Sequence, residues 1–185
     1  MYADVIKQIK RKNILMIIAI LAMAAMTVVF GVTRTDAMGV GREGIIITVI
    51  MVAVFLLITV VLILESVLGI KKIKSLLGDP TDEEMDVLLS EAEPVDTRDV
   101  PLIYISGDRL LNFETLRAYD IHNIRRIKKA SYSNSDTGST SYSVNIKLDG
   151  RPRKDNMFFS WNSDCDHAYQ VLTEACRRFG VNYTD

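Results

Sequence analysis

The chain has 185 residues, of which 49% are hydrophobic, and its 22 basic and 23 acidic residues give a formal net charge of -1. The hydrophobic residues crowd into the first 70 positions instead of being spread along the chain. This distribution argues against a single soluble globular domain, because one such core draws its apolar residues from the whole sequence.

Two apolar segments, residues 14–32 and 45–64, contain no Asp, Glu, Lys, Arg or His. A bilayer core about 30 Å thick is crossed by roughly 20 helical residues, which both segments approach or reach. The first segment is also longer than the apolar part of a typical signal peptide. The sequence therefore predicts a transmembrane helical hairpin within residues 1–78, joined by a glycine-containing loop at 33–44.

Basic residues at the ends of the spans predict their orientation, since positively charged flanks stay on the cytoplasmic side. The connecting loop carries only Arg34 and Arg42. The flanks carry more, and we expect these cations to contact lipid headgroups: Lys7, Lys10, Arg11 and Lys12 before the first span, and Lys71, Lys72 and Lys74 after the second. We predict a two-pass protein of the plasma (inner) membrane with both termini in the cytoplasm.

Residues 79–99 form an acidic segment. Gly78-Asp79-Pro80 ends the second helix, and Thr81 with Glu84 predicts a capping box that starts a short amphipathic helix at 82–92. The segment holds nine acidic residues and one basic residue, Arg98. These carboxylates either pair with the juxtamembrane lysines or stay solvated, and weak, salt-screened surface pairing favours solvation.

Residues 100–185 have the pattern of an antiparallel sheet followed by one helix. Turns are predicted at Ser106-Gly107-Asp108 and at Asp149-Gly150, with strands at 142–148 and 157–161. The polar run 131–143 has the composition of a mobile loop. A helix is predicted at 164–179 with Ser163 as its N-cap and Gly180 as its stop. The fold class is therefore α+β: a membrane hairpin, then a small antiparallel-sheet domain closed by a C-terminal helix.

Cys165 and Cys176 share a face of this last helix with Ala168, Leu172 and Phe179. In a reducing cytoplasm a disulfide is not expected. We predict that both cysteines are core thiols that pack as small hydrophobic side chains.

The order of these elements resembles bacterial PH-like domains, many of which follow two transmembrane helices. The residues that carry the resemblance are the hairpin at 104–113, the segment Tyr119-Asp120-Ile121-His122-Asn123-Ile124, the Gly150 hairpin and the final helix. The resemblance implies a bent antiparallel barrel plugged at one end by the helix, and it implies binding rather than catalysis. The acidic helix before the domain and the long Ser-rich run depart from the family pattern.

No sequence motif predicts catalysis or a cofactor. Asp164, Cys165, Asp166 and His167 are the residue types of a metal site, but consecutive helical residues point around the circumference and do not converge. We therefore predict no metal, no cofactor and no enzyme activity. The enzyme alternative would require a pocket in which His122, Asp and Cys groups converge.

Two basic groups remain as candidate binding residues: Arg125, Arg126, Lys128 and Lys129 along one strand, and Arg151, Arg153 and Lys154 beside the Gly150 turn. If the sheet brings them together, they form a patch for an acidic partner or for anionic headgroups. Solvated strand edges are the alternative. We expect a membrane-anchored interaction or scaffold module with the bilayer and a protein, or a second copy of itself, as partners and no nucleic acid. The alternative is a sensor of anionic lipid headgroups.

Overall fold

The computed structural model describes residues 1–38, 42–133, 135–136, 138–150 and 154–184. It divides into two compact units, one of residues 6–71 and one that combines residues 1–5 with 72–185. The second unit contains the sheet domain.

The first unit consists of most of two long helices, α1 (Tyr2–Met38) and α2 (Arg42–Leu76). Within the described residues, Tyr2–Gly31 and Ile45–Leu76 are long and apolar enough to cross a membrane. Many of their large apolar side chains are exposed, among them Phe30 at 66% and Leu57 at 66%. Exposed apolar surface on this scale is costly in water and suits a lipid environment. Helix α1 continues to Met38 and α2 begins at Arg42, so residues 33–38 and 42–44 of the predicted loop are helical.

Several polar side chains in these helices have hydrogen-bond partners within the helix pair. Thr27 and Thr59 donate to backbone oxygens four residues earlier, and Asn13 donates to Ser66 Oγ at 2.6 Å, which joins α1 to α2. Satisfied polar groups of this kind are what an apolar solvent requires.

After the end of α2, the second unit continues with α3 (Asp82–Glu91), which has the predicted capping box at Thr81 and Glu84. Seven strands follow: β1 (Glu93–Pro94), β2 (Ile103–Ser106), β3 (Arg109–Asn112), β4 (Arg117–Asp120), β5 (Ile124–Ser133), β6 (Thr140–Leu148) and β7 (Lys154–Phe159). A 3-10 turn at Ile121–Asn123 joins β4 to β5, and α4 (Asn162–Arg178) ends the domain.

The strands form two antiparallel sheets in the orders β1-β2-β3-β4 and β5-β6-β7. Inward residues of both sheets and the apolar face of α4 make one core, which includes Ile105, Ile127, Ile146 and Leu172. The predicted α+β layout, with a sheet domain and a final helix, is therefore confirmed. The strands form two antiparallel sheets that share this core, and the bent barrel that the resemblance implies stays a prediction.

The four-stranded sheet is covered on both faces. Consecutive residues of β2 are therefore buried, instead of alternating between buried and exposed. Ile103 and Ile105 face the main core, while Tyr104 between them contacts Phe113 on the other side. Phe113 in turn contacts Tyr2, and Val5 is also fully buried. The first residues of α1 are therefore part of the compact unit that contains the sheet domain.

Three sequence predictions need correction. The run 131–143 is mostly strand, because β5 extends to Ser133 and β6 begins at Thr140. The strand predicted at 157–161 lies at Lys154–Phe159. Helix α4 begins earlier than predicted, with Trp161 as its N-cap and no side-chain capping bond, because the chain turns into the helix two residues after β7 and leaves Ser163 inside it.

Candidate functional site

The strand register places three cations side by side on the face of β5-β6-β7 that points away from the core, here called the outer face. Arg126 lies directly opposite Lys147, and Lys147 lies directly opposite Lys154. Residues that face each other in this way have Cβ atoms about 5 Å apart. We call these three residues the cationic row.

The cationic row costs stability, because like charges directly opposite on a sheet repel. Lys147 and Lys154 are exposed, and neither forms an ion pair with any residue that the structure describes. Lys128 extends the positive charge one step along β5, where it faces the neutral Asn145. An anionic ligand on this face would therefore reduce the repulsion between Lys147 and Lys154.

Farther along the same face the surface becomes aromatic. Ala130, Ser143 and Phe158 are paired across the three strands, and Tyr132 faces Ser141 in the next position. Phe158 is 55% exposed and Tyr132 is 52% exposed. Trp161, just after β7, is 70% exposed. The outer face thus combines cations at one end with exposed aromatic rings at the other.

Two of the predicted cations point elsewhere or are already neutralised. Lys129 lies on the opposite face from Lys128, where its Nζ is 2.6 Å from Asp166 of α4 and 5.4 Å from the centre of the Tyr169 ring. Arg125 lies 2.6 Å from Asp149 in an exposed ion pair. The pKa of the Asp149 carboxyl is lowered, chiefly by the hydrogen bond from Arg125.

A β-bulge gives Arg125 its position. The register between β5 and β6 shifts between Ile124 and Arg126, so that Arg125 is the extra residue. Successive residues of a regular strand point to opposite faces, whereas a bulge redirects a side chain. Thr184 holds the bulge, because its N–H donates to the Arg125 oxygen at 3.0 Å and its oxygen accepts from Ile127 at 3.1 Å.

The bulge borders a cleft of about 570 Å³, here called the bulge cleft. Its polar lining consists of Arg125, Arg126, Lys147, Asp149 and Thr184, with Gly150 at the turn. Lys147 was not among the residues selected from the sequence. Its position in an alternating strand gave no indication that it would face Arg126 and Lys154.

Arg151 and Arg153, which were predicted to contribute to the patch, lie outside the described residues. Lys154 is described and is exposed in β7. Whether all seven predicted cations form one patch therefore stays a prediction. Of the described ones, Arg126, Lys128 and Lys154 share the outer face, Arg125 lines its end, and Lys129 is on the other side.

The predicted juxtamembrane cations are mostly exposed on α1 and α2: Lys7, Lys10, Arg11, Lys12, Lys71 and Lys72. Lys74 differs, because its Nζ is 2.9 Å from Asp82 of α3. Other acids of the 79–99 segment are also engaged within the domain. Glu93 pairs with Arg178 at 2.7 Å, and Asp96 is buried and accepts from the Leu102 N–H. Part of the acidic segment therefore has intramolecular partners instead of remaining solvated.

A second cleft of about 610 Å³ lies in the same unit between the last turn of α2 and β3-β4. Lys72, Arg109 and Arg117 supply positive charge, and Asp120 and Asp155 supply negative charge. Arg117 forms an ion pair with Asp155. Burial raises the pKa of the nearby Tyr119 hydroxyl to about 12. Because the lining of this second cleft carries both positive and negative side chains, it favours neither an anionic nor a cationic ligand.

Asp108, Asp120 and His122 bring three potential ligand atoms within 4.8 Å of one another. Both carboxylates have other contacts, since Asp120 accepts from the His122 N–H at 2.9 Å and Asp108 lies 3.4 Å from Arg109. The cysteines take no part, because both are buried in the main core as predicted. The group is an acidic cluster at the surface, and no other described feature points to an ion there.

Comparison with known proteins gives no family assignment: the chain matches no protein family, no curated protein and no solved structure. The arrangement of charge and aromatic rings described above is therefore the basis for any statement about function.

Proposed function

We propose that this protein is a membrane-anchored, non-catalytic interaction module that presents a PH-like domain on the cytoplasmic side of the inner membrane. The two candidate spans anchor the chain, and the outer face of β5-β6-β7 binds an acidic surface of a protein partner. The observation that carries the proposal is the cationic row, three like charges held directly opposite one another across three strands.

Support for the membrane topology comes from the second compact unit. Residues 1–5 at the start of α1 and residues 72–76 at the end of α2 belong to it together with the sheet domain. If both helices cross the bilayer, these ends lie on the same side. The lysines and arginines that flank the spans favour the cytoplasm as that side.

Support for a PH-like domain comes from the order of elements, in which seven antiparallel strands in two sheets are followed by one helix that shares their core. Support for binding instead of catalysis comes from the cysteines, whose thiols are buried among apolar side chains. Fold alone never establishes an activity, so the proposal requires a direct test of binding.

Site-specific photocrosslinking tests the protein partner. Phe158→p-benzoylphenylalanine places the reactive group on the outer face of the full chain in its native membrane, and Glu174→p-benzoylphenylalanine on α4 is the matched exposed control. We expect a discrete protein adduct from position 158 only, and we expect it to be lost when Lys128 and Lys154 are both changed to Glu. Equal adducts from both positions, or an adduct insensitive to charge reversal, would reject the proposal.

A second candidate function is the sensing of anionic lipid headgroups. It is favoured by the exposed Tyr132, Phe158 and Trp161, because aromatic side chains next to cations are typical of surfaces that bind at the membrane interface. Protein adducts are not expected in this case.

The lipid candidate is tested with the full chain in nanodiscs that contain brominated lipid. Trp161 is the one tryptophan of the chain, so quenching of its fluorescence reports on that position alone. Lipid binding predicts quenching in anionic phosphatidylglycerol nanodiscs, loss of quenching at high salt, and little quenching in phosphatidylcholine nanodiscs. Quenching that is independent of lipid charge and salt would sink this candidate.

A further inference from the structure

A groove of about 490 Å³ lies between α3 and the turn that joins β2 to β3, and we call it the helix groove. Its described lining consists of four residues of α3 and two of the turn: Glu84, Val87, Leu88, Glu91, Ser106 and Gly107. We propose that the helix groove of one copy of this chain binds the outer face of a second copy. The inference rests on the proposed function, because it names the acidic protein surface that the outer face binds.

The middle of the helix groove is apolar and accessible. Val87 is 57% exposed, although it is an aliphatic side chain in the centre of a helix, and Leu88 beside it is half-buried. Gly107 borders the groove without a side chain, and a Cβ added there would meet no atom within 4 Å. An aromatic ring from another chain therefore has room to enter, and it would remove the apolar surface of Val87 and Leu88 from water.

The edges of the helix groove are negatively charged. Glu84 and Glu91 are part of its lining, and the exposed Glu83 lies one turn before Val87. The pKa of the Glu84 carboxyl is lowered, chiefly by the hydrogen bond from the Thr81 N–H, so that this group is ionised at neutral pH. Glu91 is the last residue of α3, where the helix dipole disfavours an anion, and it forms no ion pair with any residue that the structure describes. A cation supplied by another chain would therefore be stabilised at this end of α3.

The outer face carries the complementary set of side chains. Phe158 is 55% exposed, and the exposed Lys154 lies four residues before it on the same face of β7, about 14 Å away along the strand. Lys128 is on the same face, where Asn145 and Asn156 continue its row across the sheet. Neither Lys128 nor Lys154 forms an ion pair with any described residue. An exposed ring accompanied by lysines thus matches an apolar groove edged by carboxylates, in apolar character as well as in charge.

Both halves of this contact belong to one chain, so the charge complementarity selects a second copy as the occupant. Two different surfaces that bind each other close into a reciprocal dimer or into a ring. The formal net charge of -1 means that two whole copies repel each other little. Copies anchored in one membrane would also meet at a raised effective concentration, as modules joined by a linker do.

Photocrosslinking from the helix groove tests the inference with the full chain in its native membrane. Val87→p-benzoylphenylalanine is placed in a copy with one affinity tag, and this copy is co-expressed with an unmodified copy that carries a second tag. We expect an adduct that contains both tags, with the crosslink mapped to residues 154–161 of the second copy. Glu174→p-benzoylphenylalanine, at an exposed position of α4, is the control and should give no such adduct.

Charge exchange between the two copies tests the complementarity. Changing Glu83 and Glu91 to Lys in the crosslinking copy should lower the yield of the adduct by about fivefold or more, because like charges then face each other. Changing Lys128 and Lys154 to Glu in the second copy should have the same effect alone. The yield should be restored when both pairs of changes are combined. Glu174→Lys makes the same kind of charge change on α4 and should leave the yield as it was.

Restoration by charge exchange would support the inference, and protection of the buried thiols Cys165 and Cys176 from labelling shows that each variant is folded. No adduct between copies from position 87, an adduct with a different protein, or a yield that folded variants leave unchanged or do not restore would overturn it. The crosslink from position 158 separates this failure from that of the proposed function. A protein adduct from position 158 without an adduct between copies would reject the second copy as the partner and leave the proposed function standing, whereas no adduct from either position would reject both.

Discussion

The ring of Tyr2 meets the ring of Phe113 edge-on, with centroids 6.5 Å apart. Phe113 also meets Tyr104 edge-on at 6.2 Å, so three aromatic side chains form a chain from the start of α1 into the four-stranded sheet. The Tyr2 backbone N–H donates to Asp86 of α3, and Lys74 lies 5.8 Å over the Tyr2 ring. The first turn of α1 therefore stabilises the sheet domain.

Replacing Tyr2 by Ala should destabilise the sheet domain by about 3 kcal/mol, because it removes a buried ring from a packed aromatic cluster. Tyr2→Phe keeps the ring and should cost less than about 1 kcal/mol. The measurement is the urea dependence of thiol labelling at Cys165 and Cys176 in the full chain. If Tyr2→Ala and Tyr2→Phe are equally stable, the contact between the Tyr2 and Phe113 rings does not contribute to the stability of the sheet domain.

The two thiols should be unreactive in the folded protein. Burial raises the pKa of Cys176 to about 11 and also raises the pKa of Cys165, so that little thiolate forms near pH 8. A thiol reagent should label two groups per chain after unfolding in urea and none before. Glu174→Cys, at an exposed position of the same helix, should be labelled at once and serves as the control. Rapid labelling of the native parent protein would contradict the buried placement.

Local sequence signals predicted the elements that depend on local interactions. The capping box of α3 needs only Thr81 and Glu84, and both of its hydrogen bonds are present. The β2-β3 turn needs a residue with positive φ, which Gly107 supplies. The stop of α4 at Gly180 has the same origin. In each case the responsible residues lie within one turn of chain, so that the pattern alone was sufficient.

Features that depend on tertiary pairing could not be predicted in this way. Lys128 and Lys129 are neighbours in sequence, yet strand alternation separates them to opposite faces, and the bulge before Arg126 decides which of them faces outward. Lys147 joins the cationic row only through its register with two other strands. The burial of Tyr2 depends on contacts more than 80 residues away in sequence, which no local pattern encodes.

The free energy of unfolding should depend on pH through Asp96. Its side chain is 1% exposed, and burial raises the pKa of its carboxyl above the ordinary 3.8, despite the hydrogen bond from Leu102 and the nearby Arg98. The folded state therefore holds this proton more tightly than the unfolded state, and stability falls as the pH rises from 3.8 through the raised pKa.

Asp96→Asn can keep the bond from the Leu102 N–H and removes the buried charge. At pH 7 the variant should be more stable than the parent by about 1 kcal/mol, and the difference should vanish below pH 3.8. Asp99→Asn, at an exposed position, is the control. Denaturant unfolding at a series of pH values checks the slope. If the variant is less stable than the parent at pH 7, the attraction between Asp96 and Arg98 stabilises the fold by more than burial of the Asp96 charge destabilises it.

Removing the central charge of the cationic row should stabilise the domain. Lys147→Gln eliminates two directly opposed like-charge pairs, and the expected gain is about 0.5 kcal/mol at low salt and less at high salt. Lys128→Gln removes a charge that faces the neutral Asn145 and should change stability less. Urea unfolding at two salt concentrations measures both variants. A loss of stability for Lys147→Gln would mean that its aliphatic stem contributes more than its charge costs.

Gly31 of α1 packs closely against Thr48 of α2. A Cβ atom added at Gly31 would lie 2.2 Å from the Thr48 hydroxyl oxygen. Small residues at such points allow two membrane helices to pack closely. Gly31→Ala should therefore destabilise the helix pair by about 1 to 3 kcal/mol, the usual range for overpacking. Thr48→Ala removes the obstructing hydroxyl, so the cost of Gly31→Ala should be smaller when both residues are changed.

A double-mutant cycle on the full chain, followed by circular dichroism as denaturing detergent is added, measures this coupling. Thr59→Ala, which removes a hydroxyl bonded to its own helix, provides the control background. The contact is specific if Thr48→Ala reduces the cost of Gly31→Ala and Thr59→Ala does not. If Gly31→Ala reduces the stability of the helix pair by the same amount in all backgrounds, the two helices do not pack against each other at Gly31 and Thr48.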